Sequence, residues 1–515
     1  MKNNTKRALS AVCAAVCLVT AGCGGGTKKT SSESNLEYWT ILDGSAATLY
    51  QNLGDTEFAK ELMKKTETDV KYVHPPQGQQ TEKFNLLMAS SNLPDIVEYD
   101  WTTGYAGGPQ KAISDGKIID LGEYKEYAPN YFKYLEEHPE VDKLVKTDDG
   151  KYFGFAFVRN DPSLLVMTGP YVRKDWLEEL GLDAPETIDE WEKVLTAFRD
   201  KKGASIALTG NTNMFKMGIF SGAYGVMDGY YHDDGVVKFG AYEPGYKDFL
   251  AKMADWYKKG LIDEAISSND NTMIMSNILN GDSGAAFGTI GAGIGNTMAN
   301  ATDIEGFDLV GTKYPTLNKG DICEYGQIDL MVPGRTAAIT TSCKDIEKAM
   351  KYLDYGYSEE GAMLFNFGIE GESYNMVDGY PTYTDDIVNN KEGLSMANAL
   401  SKYCLGYSSA PFLQDKRYME QYAKLDSQKN AWDIWQQTNM SEHKLPHIYP
   451  EESKLDEYAR LMTDIDTYSS EMTLKFIMGI EPIENYDQFR KTLESRGINT
   501  VLKIMQDAYD RAVER

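Results

Sequence analysis

The chain has 515 residues, of which 42% are hydrophobic and 25% are charged. Such a length predicts two domains, or three, and such a composition excludes a largely disordered chain. The formal net charge of −26 gives a surface that repels nucleic acid and anionic lipid headgroups. It says little about a ligand, because the charge of a cleft can differ from that of the surface.

The N-terminus has the features of a secretion signal. Three basic residues open the chain, and residues 8–21 are uncharged, mostly apolar and too short to span a bilayer. Small residues then precede Cys23, as lipoprotein signal peptidase requires, although Thr20 stands where Leu is usual. We predict a lipoprotein signal peptide at 1–22 and a lipid, including palmitate, on Cys23. The protein would then be anchored to the extracytoplasmic face of the cell membrane without spanning it.

Residues 23–35 are mostly small and polar, which is typical of a flexible tether. Beyond them the chain keeps three cysteines, Cys323, Cys343 and Cys404. Their odd number and wide spacing predict buried free thiols rather than a disulfide scaffold, although one pair could still bridge.

Strand-like and helix-like segments alternate along the rest of the chain, which is the pattern of an α/β fold. The first segments predict strands at 36–40, 69–74 and 95–98 and helices at 57–66 and 83–89. Farther on, Thr187 and Glu190 have the spacing of a capping box, and an apolar stripe predicts a helix at the C-terminus. Asp-Gly pairs at 149–150 and 234–235 predict hairpin turns.

Cofactor and metal motifs are incomplete. The glycine-rich segment 288–295 lacks the G-x-G-x-x-G spacing and the P-loop lysine. We expect its backbone to approach a ligand or the start of a helix closely. His443 and His447 are near each other, but Pro446 disrupts the helix that would align them, and no calcium loop of the D-x-[DN]-x-[DN]-G type is present. We predict no cofactor and no metal.

Catalytic motifs are also weak. The chain has no G-x-S-x-G elbow. Glu359 with Glu360 and Glu370 with Glu372 are carboxylate pairs of the kind that a glycosidase needs. With 78 acidic residues in the chain, such pairs arise by chance. We predict a protein that is not an enzyme and keep a glycoside-active cell-surface enzyme as an alternative.

Aromatic residues provide the first positive indication of a ligand. The 34 Tyr and 7 Trp offer flat apolar faces for the C–H face of a sugar, with hydroxyl and N–H groups for hydrogen bonds. Trp39 follows the first predicted strand, and Tyr99, Asp100 and Trp101 follow the strand at 95–98. Because ligands of open α/β sheets bind beyond the carboxyl ends of the strands, we predict that these four residues bind the ligand. Burial in the core is the alternative for each tryptophan.

Several segments resemble a known family when they are taken in order. They read PYVRKDWLEELGL at 170–182, TIDEW at 187–191, WYKKGLID at 256–263, YSEEG at 357–361, FGIEGESY at 367–374, KFIMG at 475–479 and QDAYDR at 506–511. They are similar to segments of the family 1 extracellular solute-binding proteins of carbohydrate ABC importers. The resemblance is to the LplA-like lipoprotein subgroup, which is related to the alginate-binding proteins.

This resemblance implies a type II periplasmic-binding-protein fold, in which two α/β lobes are joined by a multi-crossing hinge and close on a sugar. Hinge crossings are expected near 158–162, 314–324 and 374–380. The expected lobes are 36–159 plus about 320–376 for the first and 160–319 plus about 377–515 for the second.

The resemblance also suggests further ligand-binding residues. Arg159 and Asn160 at the first crossing can donate to sugar hydroxyls, although Arg159 could instead form an ion pair between the lobes. Tyr224 is a further candidate, as are Glu370 and Tyr374 near a later crossing. The glycine-rich segment could add backbone N–H groups.

One departure from the alginate-binding relatives bears on the ligand. Those relatives carry a calcium loop at the place that corresponds to 199–205, and the acidic ligands are missing here. We therefore predict no structural calcium and do not transfer alginate as the ligand.

Together these features predict a monomeric, lipid-anchored protein that captures a carbohydrate and delivers it to the membrane permease subunits of an ABC importer. The long chain implies a roomy cleft, which favours an oligosaccharide. A peptide-binding protein of the same fold is the second alternative, since peptides also bind between two such lobes.

Overall fold

The computed structural model describes residues 35–406 and 409–514. The predicted signal peptide at 1–22, the predicted lipid site at Cys23 and the tether up to residue 34 lie outside the described residues. Within the described ranges, no helix combines the length and the apolar character needed to cross a membrane.

The strands and helices alternate through most of the chain. The strands are β1 (Leu36–Trp39), β2 (Val70–Val73), β3 (Ile96–Asp100), β4 (Phe155–Arg159), β5 (Thr168–Arg173), β6 (Tyr230–Asp233), β7 (Val236–Phe239), β8 (Ala285–Thr289), β9 (Leu309–Gly311), β10 (Arg335–Ile339), β11 (Tyr374–Val377), β12 (Tyr380–Tyr383) and β13 (Phe412–Gln414). The helices up to residue 299 are α1 (Gly44–Ala47), α2 (Glu57–Lys65), α3 (Gln80–Met88), α4 (Gly108–Ser114), α5 (Pro129–Glu137), α6 (Pro139–Leu144), α7 (Lys174–Leu180), α8 (Ile188–Lys202), α9 (Gly245–Lys258), α10 (Asn271–Leu279) and α11 (Asn296–Ala299). The later helices are α12 (Ile346–Asp354), α13 (Glu359–Phe367), α14 (Asp385–Val388), α15 (Met396–Leu400), α16 (Lys416–Tyr422), α17 (Asp426–Trp435), α18 (Leu455–Ile477), α19 (Tyr486–Ser495) and α20 (Ile498–Glu514).

A six-stranded sheet forms the first lobe, in the order β13-β4-β10-β3-β1-β2. Strand β1 pairs in parallel with β2 and β3, whereas β10 runs antiparallel between β3 and β4. The β1-α2-β2-α3-β3 order confirms the predicted strands and helices of this region. Most strand residues of β1 and β3 are buried, as expected for a sheet with helices on its faces.

A three-stranded sheet, β8-β5-β9, forms the centre of the second lobe. The helix α8 packs its apolar stripe into this lobe and begins at the predicted capping box. There the Thr187 hydroxyl accepts from the backbone N–H of Glu190 at 3.1 Å, and the Glu190 carboxylate accepts from the backbone N–H of Thr187 at 3.3 Å. The box satisfies donors that the first turn of a helix leaves without partners.

The chain passes between the two sheets more than once. It leaves the first sheet after β4, returns between β9 and β10, and contributes β13 to the first sheet before α17 packs on β9. The hinge crossings expected near 158–162, 314–324 and 374–380 stay predictions. Strand β13 lies in the range expected for the second lobe, but it pairs with β4 at the edge of the first sheet. Only three extended residues make this pairing, so the chain can join the first sheet briefly and leave it again.

Candidate ligand-binding site

An apolar cavity of about 380 Å³ lies between the lobes. Four parts of the chain form its walls: the loop after β1, Met167 before β5, the glycine-rich segment after β8, and the segment 397–422. The last of these contacts both lobes, because α15 packs on α1 and the side chain of Tyr422 lies on Gly291. Both lobes therefore contribute directly to one cavity.

Asp43 provides a carboxylate at the wall formed by the first lobe. One carboxylate oxygen accepts from the backbone N–H of Ser45 at 2.8 Å, which caps α1 and fixes the side chain. The backbone of Gly406 approaches the same carboxylate so closely that a Cβ atom would lie 2.8 Å from its Oδ2. A carboxylate held in this way can accept charge-assisted hydrogen bonds from a ligand.

The glycine-rich segment forms the opposite wall. The Thr289 hydroxyl accepts from the backbone N–H of Ala292 at 3.0 Å and so fixes the start of the turn Ile290–Gly295, which leads into α11. A Cβ atom on Gly291 would lie 2.8 Å from Cε1 of Tyr422. The backbone therefore approaches a tyrosine ring here, and the segment precedes a helix as predicted.

Tyr418 and Tyr422 form the aromatic part of the cavity. They lie one turn apart on α16, and their rings stack with centroids 5.7 Å apart and an interplanar angle of 17°. Tyr418 is buried and Tyr422 is half-buried. Burial raises the pKa of the Tyr422 hydroxyl, so the group stays neutral and can donate a hydrogen bond at neutral pH. Neither tyrosine was among the predicted ligand-binding residues. Their i, i+4 spacing, which places them on one helix face, was the available signal.

A second cavity, of about 190 Å³, continues along the glycine-rich segment. It shares Thr289 and Ala292 with the first cavity. Its polar lining includes the side-chain amides of Asn211, Asn213 and Asn271. Together the two cavities offer apolar, hydroxyl and amide residues on either side of Thr289 and Ala292.

A third, polar cavity of about 430 Å³ lies between α4 and the C-terminal helices. Its charged side chains pair with one another: Arg511 Nε lies 3.1 Å from an Asp148 oxygen, and Lys111 Nζ lies 3.2 Å from a Glu452 oxygen. At the start of α4, Leu455 packs here against Gly107 and Tyr449 packs against Gly108. These contacts hold two parts of the chain together and offer few groups to a ligand.

Comparison with known proteins identifies the family. Residues 47–363 match the model of the bacterial extracellular solute-binding proteins. The chain belongs to this family.

Individual relatives of this solute-binding protein cover nearly its whole length. Lipoprotein LipO of Bacillus subtilis is 23% identical over 475 residues, which is 87% of this chain and 88% of LipO. The fructooligosaccharide ABC transporter substrate-binding protein FusA of Streptococcus pneumoniae is 26% identical over 480 residues, covering 84% and 83% of the two chains. The crystal structure of the alginate-binding protein AlgQ2 without calcium superimposes with a TM-score of 0.72 at 24% identity, covering 93% of this chain and 99% of AlgQ2. The α/β fold is thus the two-lobed fold of the periplasmic solute-binding proteins.

Trp39, Tyr99 and Trp101 lie in the core of the first lobe rather than at the cavity. All three surround Phe84 of α3, with ring centroids 6.2, 4.0 and 5.3 Å from the Phe84 ring. Trp101 is fully buried, and its indole N–H donates to the carbonyl of Val97 at 3.2 Å. The stacking role predicted for these rings is therefore corrected, because helix α3 covers the faces that a sugar would need.

Asp100 stabilises the turn after β3. Its carboxylate accepts from the backbone N–H groups of Thr102 at 2.9 Å and Thr103 at 3.1 Å. Its carboxylate oxygens are thus used as acceptors within the loop. The residue also lines neither apolar cavity.

Arg159 forms the ion pair that was the alternative to ligand binding. Its guanidinium lies 3.3 Å from the carboxylate of Asp329 and donates to the carbonyl of Leu330 at 3.3 Å. Asp329 belongs to the second passage between the lobes, so the pair joins two hinge segments. Asn160 is exposed beside it, and neither residue lines the apolar cavities.

Tyr224, Glu370 and Tyr374 also lie away from the cavities. Tyr224 packs near Phe249 of α9, with ring centroids 6.4 Å apart. Tyr374 is buried 5.9 Å from the ring of Phe367, and Glu370 is exposed at the adjoining turn. The structure therefore brings Glu370 and Tyr374 together but separates them from the other predicted residues.

The three cysteines of the body are buried and unpaired with one another. Cys404 lines the apolar cavity, whereas Cys323 and Cys343 do not. Among residues 35–406 and 409–514, no group of three or more His, Cys, Asp or Glu is arranged to hold a metal ion.

Proposed function

We propose that this solute-binding protein is a lipid-anchored, non-enzymatic receptor that captures an oligosaccharide between its lobes and delivers it to a carbohydrate ABC importer. The observation that carries the proposal is the position of Tyr422. Its half-buried ring lies over the glycine-rich wall of a cavity that both lobes line. The family membership and the relative named as a fructooligosaccharide-binding protein support the same function.

The chemistry of the walls suits a sugar. The Tyr422 ring offers an apolar face to sugar C–H groups, and Asp43 offers a fixed carboxylate to sugar hydroxyls. Because the contacts come from both lobes, a bound sugar would favour the closed arrangement over an open one by its extra contacts. The importer would then distinguish the loaded from the empty receptor by shape.

The closeness of the two cavities supports an oligosaccharide over a monosaccharide. The smaller cavity, with its three asparagines, shares Thr289 and Ala292 with the larger one. A chain of several sugar units would place successive rings along the glycine-rich segment, while a single ring would leave one cavity unused.

Lipid anchoring rests on the N-terminal sequence and on the relative named as a lipoprotein. Replacing the predicted lipid site, Cys23→Ser, should release the protein into the medium of the expressing bacterium. A Cys323→Ser variant is the control, because this cysteine is buried far along the chain. Retention of Cys23→Ser on the membrane would contradict the proposed anchor.

Ligand binding is tested by thermal unfolding and calorimetry with a panel of oligosaccharides and short peptides. A ligand that binds the native state at a hundred times its Kd adds about 2.7 kcal/mol of stability. We expect stabilisation by one class of glycan and recovery of that glycan unchanged. Stabilisation by peptides alone would support the peptide-binding alternative, and a shortened glycan would support the enzyme.

The role of the aromatic face is tested by Tyr422→Ala. We expect this variant to lose about fivefold in glycan affinity, since the contact of an aromatic ring is worth on the order of 1 kcal/mol. Tyr257→Ala is the matched control, because Tyr257 is also a half-buried helix tyrosine and lines neither apolar cavity. Equal affinity in the two variants would place the ligand elsewhere.

A further inference from the structure

The linings of the two apolar cavities contain very few charged side chains. Of the described residues that line them, Asp43 is the one that carries a charge at neutral pH. The remaining polar groups are hydroxyls, side-chain amides, a thiol and backbone groups. Lysine, arginine and histidine are absent from both linings.

Two cations on the helix that carries the aromatic face are already paired. Lys416 and Arg417 open α16. Lys416 Nζ lies 3.2 Å from the Asp161 carboxylate, and Arg417 lies 2.6 Å from the Asp415 carboxylate, which it contacts through two guanidinium nitrogens. A ligand carboxylate would have to break one of these pairs to gain either cation.

We propose that this site selects neutral oligosaccharides and discriminates against oligosaccharides of uronic acids. The inference rests on the proposed function and adds the substrate class. A sugar hydroxyl can donate to the fixed carboxylate of Asp43. A uronate carboxylate in the same place would meet a like charge in a partly desolvated space with no cation to offset it.

The pair of apolar cavities also favours the neutral class by its desolvation cost. The lining offers the Tyr422 ring, Met167 and Ile290 beside its hydroxyls. A sugar with only hydroxyl groups buries its C–H faces there and keeps hydrogen bonds at its edges. An ionised carboxylate loses water on entry and finds no compensating positive charge.

The test compares hexose chains with chains of the corresponding uronic acids, in which a carboxylate replaces the C6 hydroxymethyl group. Tetramers of glucose, galactose and mannose, together with fructo-oligosaccharides, are measured by calorimetry against tetramers of glucuronic, galacturonic and mannuronic acid. We expect the tightest ligand to be neutral and its uronic-acid counterpart to bind at least tenfold more weakly at low salt, with a smaller difference at high salt. A uronic-acid tetramer as the tightest ligand would overturn this inference and leave the proposed function intact. Binding of none of these glycans would overturn both.

Asp43→Asn tests the residue that carries the selection. Asparagine keeps the size of the side chain and the cap of α1 while it removes the charge. We expect the ratio of the two Kd values, that of the uronic-acid tetramer divided by that of the neutral tetramer, to fall at least tenfold in this variant. Asp345→Asn is the matched control, because Asp345 caps α12 by accepting from the backbone N–H of Lys348 at 3.1 Å and lines neither apolar cavity. The same preference in both variants would refute selection by Asp43.

Discussion

A buried carboxylate, Glu98, connects the first sheet to the loop that closes the ligand cavity, and its removal gives the sharpest test of the structure. Glu98 is 1% exposed in β3. One oxygen accepts from the hydroxyls of Tyr38 and Thr40, each at 2.9 Å. The other lies 3.0 Å from the backbone N of Ala410 and 3.0 Å from Nε of Arg335. Because the loop before Ala410 carries cavity-lining residues, this network positions part of the site.

The magnitude follows from what Glu98→Gln can still accept. The remaining carbonyl oxygen can keep the two hydroxyl donors. The new amide group donates, so the backbone N–H of Ala410 loses its acceptor, and the guanidinium of Arg335 loses the charge of its ion-pair partner. A buried donor left without a partner costs about 1–3 kcal/mol, and breaking a buried ion pair costs about 3–5 kcal/mol. We expect Glu98→Gln to lower the free energy of unfolding by about 4 kcal/mol or more.

The assay is urea unfolding of the protein followed by circular dichroism, with Glu37→Gln as the control. Glu37 lies on the neighbouring strand β1, and its carboxylate pairs with Lys71 at 2.8 Å on the surface, where both side chains are exposed. Exposed pairs contribute about 0.2–1 kcal/mol, so the control should change little. Arg335→Gln should cost less stability in the Glu98→Gln background than in the wild type. A Glu98→Gln variant as stable as the control would refute the network.

Three further predictions concern the cavity, a half-buried acid and the C-terminal helix. Burial raises the pKa of the Cys404 thiol, so iodoacetamide should alkylate this thiol slowly in the native protein. Because the thiol lines the cavity, bound glycan should slow the alkylation at least tenfold further. Equal alkylation rates with and without glycan, measured by mass spectrometry, would place the glycan outside this cavity. Burial also raises the pKa of the Asp228 carboxyl, so the native state holds this proton more tightly than the unfolded state and loses stability as the pH rises through the raised pKa. Asp228→Asn should therefore be more stable than the wild type near pH 7.5, with a gain that shrinks towards pH 4.5 in thermal unfolding; a gain independent of pH would contradict the raised pKa. Arg511→Ala removes the 3.1 Å contact with Asp148 and a 2.6 Å hydrogen bond to the carbonyl of Tyr449, and should cost about 1 kcal/mol in urea unfolding, whereas no loss would show that the contact is not formed in solution.

Local signals in the sequence predicted the elements of the fold well. The capping box at Thr187 begins α8, and the Asp234-Gly235 pair forms the turn between β6 and β7 with φ values of 47° and 80°. Both features depend on residues close in sequence, and both are determined by backbone geometry that few residue types satisfy. Membership of β13 in the first sheet depends instead on a partner more than two hundred residues away, which no local pattern contains.

The candidate site was harder to predict because burial depends on tertiary packing. The rule that ligands bind beyond strand ends pointed to the end of β1, and Asp43 just beyond it does line the cavity. The same rule selected Trp39, whose ring turns into the core against Phe84. A tryptophan near a strand end has the same local sequence whether its ring faces a core or a cleft. The chain alone could identify the loop but not the orientation of the ring.

The position of Tyr422 explains why the aromatic contact could not be inferred from the strands. It comes from α16, which follows β13 immediately, so the first lobe's edge strand sets where the helix begins. The helix then places its tyrosine on Gly291 of the second lobe. A change in the relative position of the lobes would alter the gap between this ring and the carboxylate of Asp43. If a sugar binds there as proposed, the same contact would report whether the lobes are closed, which would let an importer distinguish a loaded receptor from an empty one.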